Sequence, residues 1–229
     1  MTTNPNAPAD TRIMGIVHSA LRRDLTRTTT ALTRGHAPGD AQRAALCAHL
    51  TWMMDFLHGH HEGEDLGLWP MMRARCASAG DLLDQMEHDH AQIAPRIDGL
   101  RAAGSRYSND GAQTARDGVV EALTSLRTVL DPHLAREETE MMPIVSSTLT
   151  HAQWEAFNDE QYLSTKSKSE LGREGHWLID SIDPAGYKVV VGSVPPIPRF
   201  VLLHAFARPY ERACATRWGP TVTVKPLAA

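Results

Sequence analysis

With 229 residues, 42% of them apolar and 22% charged, the chain has the make-up of a soluble globular protein: one large domain, or one of about 150 residues with an extension. A net charge of −4 with no Lys/Arg-rich stripe excludes an electrostatic footprint for nucleic acid or a membrane surface, and the longest apolar runs, such as "FVLLHAFA", are too short to span a bilayer. Cys47, Cys76 and Cys214 are scattered without a CxxC pair, which excludes a disulfide framework and a zinc-thiolate site; with a start that lacks the regions of a secretory signal, this leads us to expect a cytoplasmic protein.

Residues 1–9 read as a loose, disordered tail. Four helices are then predicted from apolar periodicity. The first carries the stripe Met14, His18, Leu21, Leu25, Thr28, Leu32 and ends at Gly35 and Pro38-Gly39. Asp40 starts the second, with Leu46, Leu50, Met53, Leu57, His60, Glu64 and Leu68 on one face, stopping near Pro70 or shortly after. Asp81 starts the third, with Leu83, Met86, His90, Ile93, Ile97 and Leu100, closing at Gly104 before the turn-rich "GSRYSNDG". The fourth carries Val119, Leu123, Leu126, Leu130, His133, Glu137 and Met141 and ends at Pro143. Pro95 and Pro132 interrupt the third and fourth helices and permit kinks. Steps of three and four keep each stripe on one face, so residues 10–145 are expected to form an all-α, antiparallel up-down four-helix bundle.

Residues 146–229 read as a mainly helical C-terminal extension. Thr150 is placed to cap a helix through "HAQWEAFNDEQYL", "STKSKS" resembles a linker or turn, and a further helix covers "PRFVLLHAFARPYERACATRWG". "DPAGYKVVVG" is ambiguous between helix and strand, and we take it as helix.

Twelve histidines are the unusual feature. His-x3-acid pairs place two side chains one above the other on a helix, but seven such pairs occur, including His36/Asp40, His151/Glu155 and His176/Asp180, which fall near predicted helix termini and read as surface or capping pairs. Position on the stripe is more selective. His18, His60, His90 and His133 each replace an apolar residue on the inward face of a different helix, and Glu64 and Glu137 follow two of them by one turn. Buried imidazoles and carboxylates are costly unless paired, and metal ligation is the usual resolution. Mixed imidazole and carboxylate donors suit iron, manganese or zinc. His58 and His88 lie off the stripe and read as solvated, while Trp52, Trp69, Met53 and Met54 read as core packing.

"HHEGEDLGLWP" and "HLAREETEMMP" resemble the twin signatures of hemerythrin-like, or HHE cation-binding, domains of bacterial type. "IVHSALRRDL" and "MEHDHAQI" are similar to that family's first- and third-helix histidine segments. The resemblance implies a di-iron centre held by His18, His60, Glu64, His90, His133 and Glu137, with the glutamates as bridges. His61, Glu87 and His36 are further candidates as ligands or as hydrogen-bond partners of ligands. Where oxygen-carrying hemerythrins have a histidine four residues before the third-helix histidine, this chain has Met86. Glu137 stands four residues after His133, and Glu138 at five reads as an outsider. The expected function is a di-iron protein that binds, senses or reacts with O2, NO or peroxide. The alternatives are an oxygen-activating enzyme acting on an organic substrate, or an iron donor or regulatory module working through a protein partner that the sequence does not name.

Overall fold

A computed structural model describes residues 4–219. Among these residues the secondary structure is helical apart from one isolated bridge between Pro8 and Thr150. Four long helices dominate: α1 (Arg12–Thr33), α2 (Asp40–Gly63), α4 (Gly80–Asp110) and α5 (Gln113–Arg136). α4 packs against both α2 and α5, and α1 against α5 and α2. Among the described residues no helix is long and apolar enough to cross a membrane.

The helix expected to end at Pro143 instead passes it, and the second helix runs five residues beyond Pro70, to Arg75. α2 runs into a five-residue π segment, π1 (Glu64–Leu68), and then into α3 (Trp69–Arg75). α5 runs likewise into π2 (Glu137–Met141) and α6 (Met142–Thr148). The reason is local. Pro70 and Pro143 have no N–H to give to the carbonyl four residues back, and a proline ring crowds that carbonyl. A widened turn relieves this: the N–H groups of Trp69 and Met142 reach back five residues to the carbonyls of Glu64 and Glu137. Pro95 and Pro132 lie inside α4 and α5, which continue through them.

The third helix also outlasts its expected end. Gly104 is helical, and α4 stops only at Gly111, whose φ of 67° supplies the left-handed cap. Buried Tyr107 holds the extra turn in the core.

Two apolar clusters fill the interior. One contains Leu21, Leu25, Leu50, Leu57, Ile93, Ile97, Leu126 and Leu130, and the other Met14, Leu68, Met72, Leu83, Met86 and Met141. His18, His60, His90 and His133 fall between the two clusters along each long helix, so a polar layer is sealed by apolar packing above and below.

The extension is folded onto this body. α7 (His151–Asn158) is opened by the Thr150 capping box and runs into a third π segment, π3 (Asp159–Leu163), which lies on α2. α8 (Lys168–Ile179) was hidden in the sequence reading behind "STKSKS", although Ser167 and Glu170 form a capping box there. α9 (Pro184–Gly192) is helical as expected, capped by Asp183. The last predicted helix is broken into α10 (Pro196–Ala205) and α11 (Ala207–Trp218), with Pro209 disfavouring a continuous ladder at Ala205. Trp177, Tyr210, Cys214 and Trp218 join the bundle's own core, and Asp24 of α1 accepts hydrogen bonds from His49 Nε2 (2.8 Å) and Trp177 Nε1 (3.1 Å). His176 and Asp180, expected at the surface, are buried in this seam, where Asp180 meets Arg27 at 2.6 Å.

Residues 4–9 are not loose either. Ala9 is buried and donates its N–H to the Leu149 carbonyl, and His151 and Ala152 donate to the carbonyls of Ala7 and Pro5. Residues 1–3 of the expected tail lie outside the described residues, as do residues 220–229.

Candidate metal centre

The polar layer holds His18 from α1, His60 and His61 from α2, Glu64 from π1, His90 from α4, His133 from α5 and Glu137 from π2; none is more than 5% exposed. Their donor atoms form two groups. His61, His90 and His133 make one, and His18, His60 and Glu137 the other, with the atoms of each within 4.8 Å of one another. The imidazoles are tightly packed: His61 stacks on His90 with centroids 4.1 Å apart, and His133 meets His90 edge-on at 4.8 Å.

The glutamates span the groups. Glu64 Oε1 lies 3.1 Å from His60 Nε2, while its Oε2 lies 3.5 Å from His90 Nε2. Glu137 Oε2 lies 3.4 Å from His18 Nε2 and 3.8 Å from His133 Nε2. Each carboxylate therefore faces one histidine of either group.

A second ring of acids fixes the tautomers. His18 Nδ1 donates to Glu138 at 2.9 Å, and His90 Nδ1 donates to Asp65 at 2.7 Å. His133 Nδ1 faces Asp89 at 3.5 Å. Because a carboxylate only accepts, the proton of His18 and of His90 sits on Nδ1, and Nε2 presents a bare lone pair to the centre. The consecutive acids of each π segment thus straddle one histidine of a neighbouring helix. Glu64 and Asp65 take the two nitrogens of His90, and Glu137 and Glu138 those of His18.

That arrangement leaves lone pair facing lone pair. The Nε2 atoms of His18, His60, His61, His90 and His133 and both carboxylate oxygens of Glu64 and Glu137 are buried without a hydrogen-bond partner. Each such atom costs about 1–3 kcal/mol. A cation between them removes the conflict: ligand atoms each about 2.1 Å from one ion stand roughly 3–3.5 Å apart, and the His–Glu pairs here stand 3.1–3.8 Å apart. The donor set fits a metal.

Electrostatics agree. Burial, followed by the neighbouring histidines, holds His60, His61 and His133 well below the ordinary imidazole range, so they stay neutral and able to ligate. Burial and Glu137 push Glu64 well up, and burial pushes Glu137 up. Two carboxylates so placed need added positive charge to ionise together.

All six residues expected as ligands converge here, and His61 joins them. Met86 packs in the apolar cluster below the layer, and the third imidazole of the His90 group comes from α2 instead. Glu87 is exposed and ion-paired with Arg73 at 2.9 Å, and His36 is exposed in the turn after α1, so neither contributes. His58 and His88 are exposed, as expected. The sequence reading missed Asp89, which faces His133 Nδ1 at 3.5 Å, and set Glu138 aside. The signal for Glu138 was the acid that directly follows the ligand glutamate in both signatures.

One residue of the extension reaches the layer. Tyr162 of π3 donates its hydroxyl to the His60 carbonyl at 2.9 Å, with its ring centroid 5.7 Å from that of His60.

The sequence model of the family described as "Hemerythrin HHE cation binding domain" matches residues 5–145. No curated protein and no solved structure matches the chain.

Proposed function

We propose that this chain, which belongs to the hemerythrin HHE cation-binding family, holds two iron ions through His18, His60, His61, His90, His133, Glu64 and Glu137 and uses them on O2, NO or peroxide. Cation binding by histidine and glutamate is the family's property; the di-iron centre and the small oxidant are our reading. Its main support is the convergence of unpartnered Nε2 and carboxylate atoms between two apolar layers. The order of those layers reverses from each long helix to the next, which supports an antiparallel up-down bundle holding the site at mid-height.

His61, His90 and His133 would hold one ion, and His18 and His60, with one imidazole fewer, would hold the other and leave it room for a small ligand. Iron(II) held by these residues would supply the electrons for reducing a small oxidant. The chain's own part is to hold the ligands neutral and aimed, to exclude bulk water, and to manage protons. Asp65, Asp89 and Glu138 support this last task. They join the Nδ1 side of His90, His133 and His18 to the partly exposed rim. A carboxylate-rich centre whose acids reach the rim favours reaction with the oxidant over reversible carriage. The closed setting favours a small oxidant over an organic substrate.

Anaerobic loading with iron(II), followed by elemental analysis, should give about two ions per chain, and a reproducible value at or below one would overturn the dinuclear centre. Titration of the loaded protein with O2, then evacuation, should leave it oxidised. Full and repeatable recovery of the reduced spectrum would make it a carrier instead.

A further inference from the structure

The segment that follows the family-matched residues covers the metal layer on its α2 side. π3 lies on α2 at the turn carrying His60, His61 and Gly63. Tyr162 is half-buried: its hydroxyl is tied to the His60 carbonyl at 2.9 Å, and its ring centroid lies 5.7 Å from that of His60, which is itself buried. Two glycines make this approach feasible. A Cβ on Gly63 would fall 2.6 Å from the Tyr162 ring, and one on Gly67 would fall 2.9 Å from Phe157 and 3.2 Å from Gln161. Phe157 in turn packs edge-on against Tyr162 with centroids 5.4 Å apart. Bulk at either glycine would lift π3 off the bundle.

We propose that Tyr162 is the gate of the metal centre and sets which molecules reach it. The inference rests on the metal-centre reading and adds a specificity role for the extension. The ring lies beside His60, which belongs to the ion with room for a small ligand. A small swing of one phenol ring opens a passage for a diatomic molecule, peroxide or azide, and it restores a single hydrogen bond on closing. A larger organic molecule requires π3 itself to detach, against Phe157 and the close contact with the Gly63 and Gly67 backbone. Tyr162 acts here as a wall and a positioning residue; no electron or proton is assigned to it.

The test is the rate at which a bulky iron(II) chelator, bathophenanthroline disulfonate, strips the loaded, full-length protein. Iron content is measured first in every variant, so failure to load in the native chain speaks against the metal centre and is separable from failure of the gate. Tyr162→Ala should load as the native chain does and lose iron at least tenfold faster. Tyr162→Phe keeps the ring and should stay within about threefold of native. Gly67→Ala keeps the Tyr162 side chain and every ligand residue but displaces the segment that carries Tyr162, and it should also strip several-fold faster. It keeps the proposal testable should Tyr162→Ala not fold. Native stripping rates in whichever of Tyr162→Ala and Gly67→Ala fold and load normally would overturn the gate.

Discussion

Glu138 Oε1 accepts a hydrogen bond from His18 Nδ1 across the gap between two helices at 2.9 Å, and the same oxygen accepts one from Arg22 at 2.7 Å. Burial pushes the Glu138 carboxyl up, but these hydrogen bonds hold it below its ordinary value. An anion fixed there keeps His18 in the tautomer that ligates. Removing such a partner typically costs tenfold to a hundredfold in metal affinity. Glu138→Ala should therefore lower iron affinity by about that factor in chelator competition, while the iron content at saturation stays at the native value. Glu87→Ala, paired only with Arg73, should change neither. Equal effects from both substitutions would remove Glu138 from the centre.

Metal removal should destabilise the fold, because the buried Nε2 and carboxylate atoms have no other partner in the described structure. Binding at a hundredfold excess over Kd adds about 2.7 kcal/mol, and each kcal/mol moves the melting temperature of a chain this size by about 2–4 °C. The iron-loaded protein should thus melt about 5–10 °C above the metal-free one. His133→Ala should abolish most of that difference, whereas His36→Ala should leave it intact. Differential scanning calorimetry with and without iron decides it.

The seam between bundle and extension makes stability sensitive to acid. Burial is the largest influence on His49 and drives its pKa down to about 4, against the raising effect of its bond to Asp24. The folded chain therefore prefers neutral His49. That preference stabilises fully above the unfolded pKa of about 6.5 and is lost as pH falls towards 4, for a total of about 3 kcal/mol. Asp24 is also pushed up by burial, but the hydrogen bond from His49 and the charge of Arg23 hold it well below the carboxylate range. Its contribution is present above about pH 3.8 and fails only below it. Urea unfolding of the metal-free chain at pH 7 and pH 5 should show a smaller loss in His49→Gln than in the native protein. Identical losses would mean that His49 is not the sensor.

Arg27 bonds both Asp24 (3.0 Å) and Asp180 (2.6 Å), which are themselves buried. Truncating one partner of a buried ion pair strands the others at a cost of about 3–5 kcal/mol. Arg27→Ala should lower stability by that order and make residues 168–218 more open to limited proteolysis while residues 12–148 stay protected. Uniform proteolysis of both regions would show that the extension is not a separable layer.

The stripes of Met14 to Leu32, Leu46 to Leu68, Leu83 to Leu100 and Val119 to Met141 specified four inward faces, and a histidine interrupting each one marked a shared polar layer. That much follows from the 3.6-residue period, which relates neighbours on one helix. The period does not say what a neighbouring helix presents. Only the packed structure selects His61 over Glu87 and His36, because His61 faces α4 whereas Glu87 turns outward to Arg73. Likewise, Glu138 and Asp65 became partners of His18 and His90 through the π segments, whose wider turn shifts the phase of every side chain after the ligand glutamate. Pro143 reads as a stop in sequence, and Pro70 as close to one, because a proline disfavours a regular helix; tertiary burial of Trp69, Met72, Met142 and Val145 instead carries each helix through a widened turn. Tyr162 lies 102 residues from His60 in the chain, and no local pattern links them. Their contact exists because the Gly63 and Gly67 backbone leaves room for an aromatic segment that arrives from the extension.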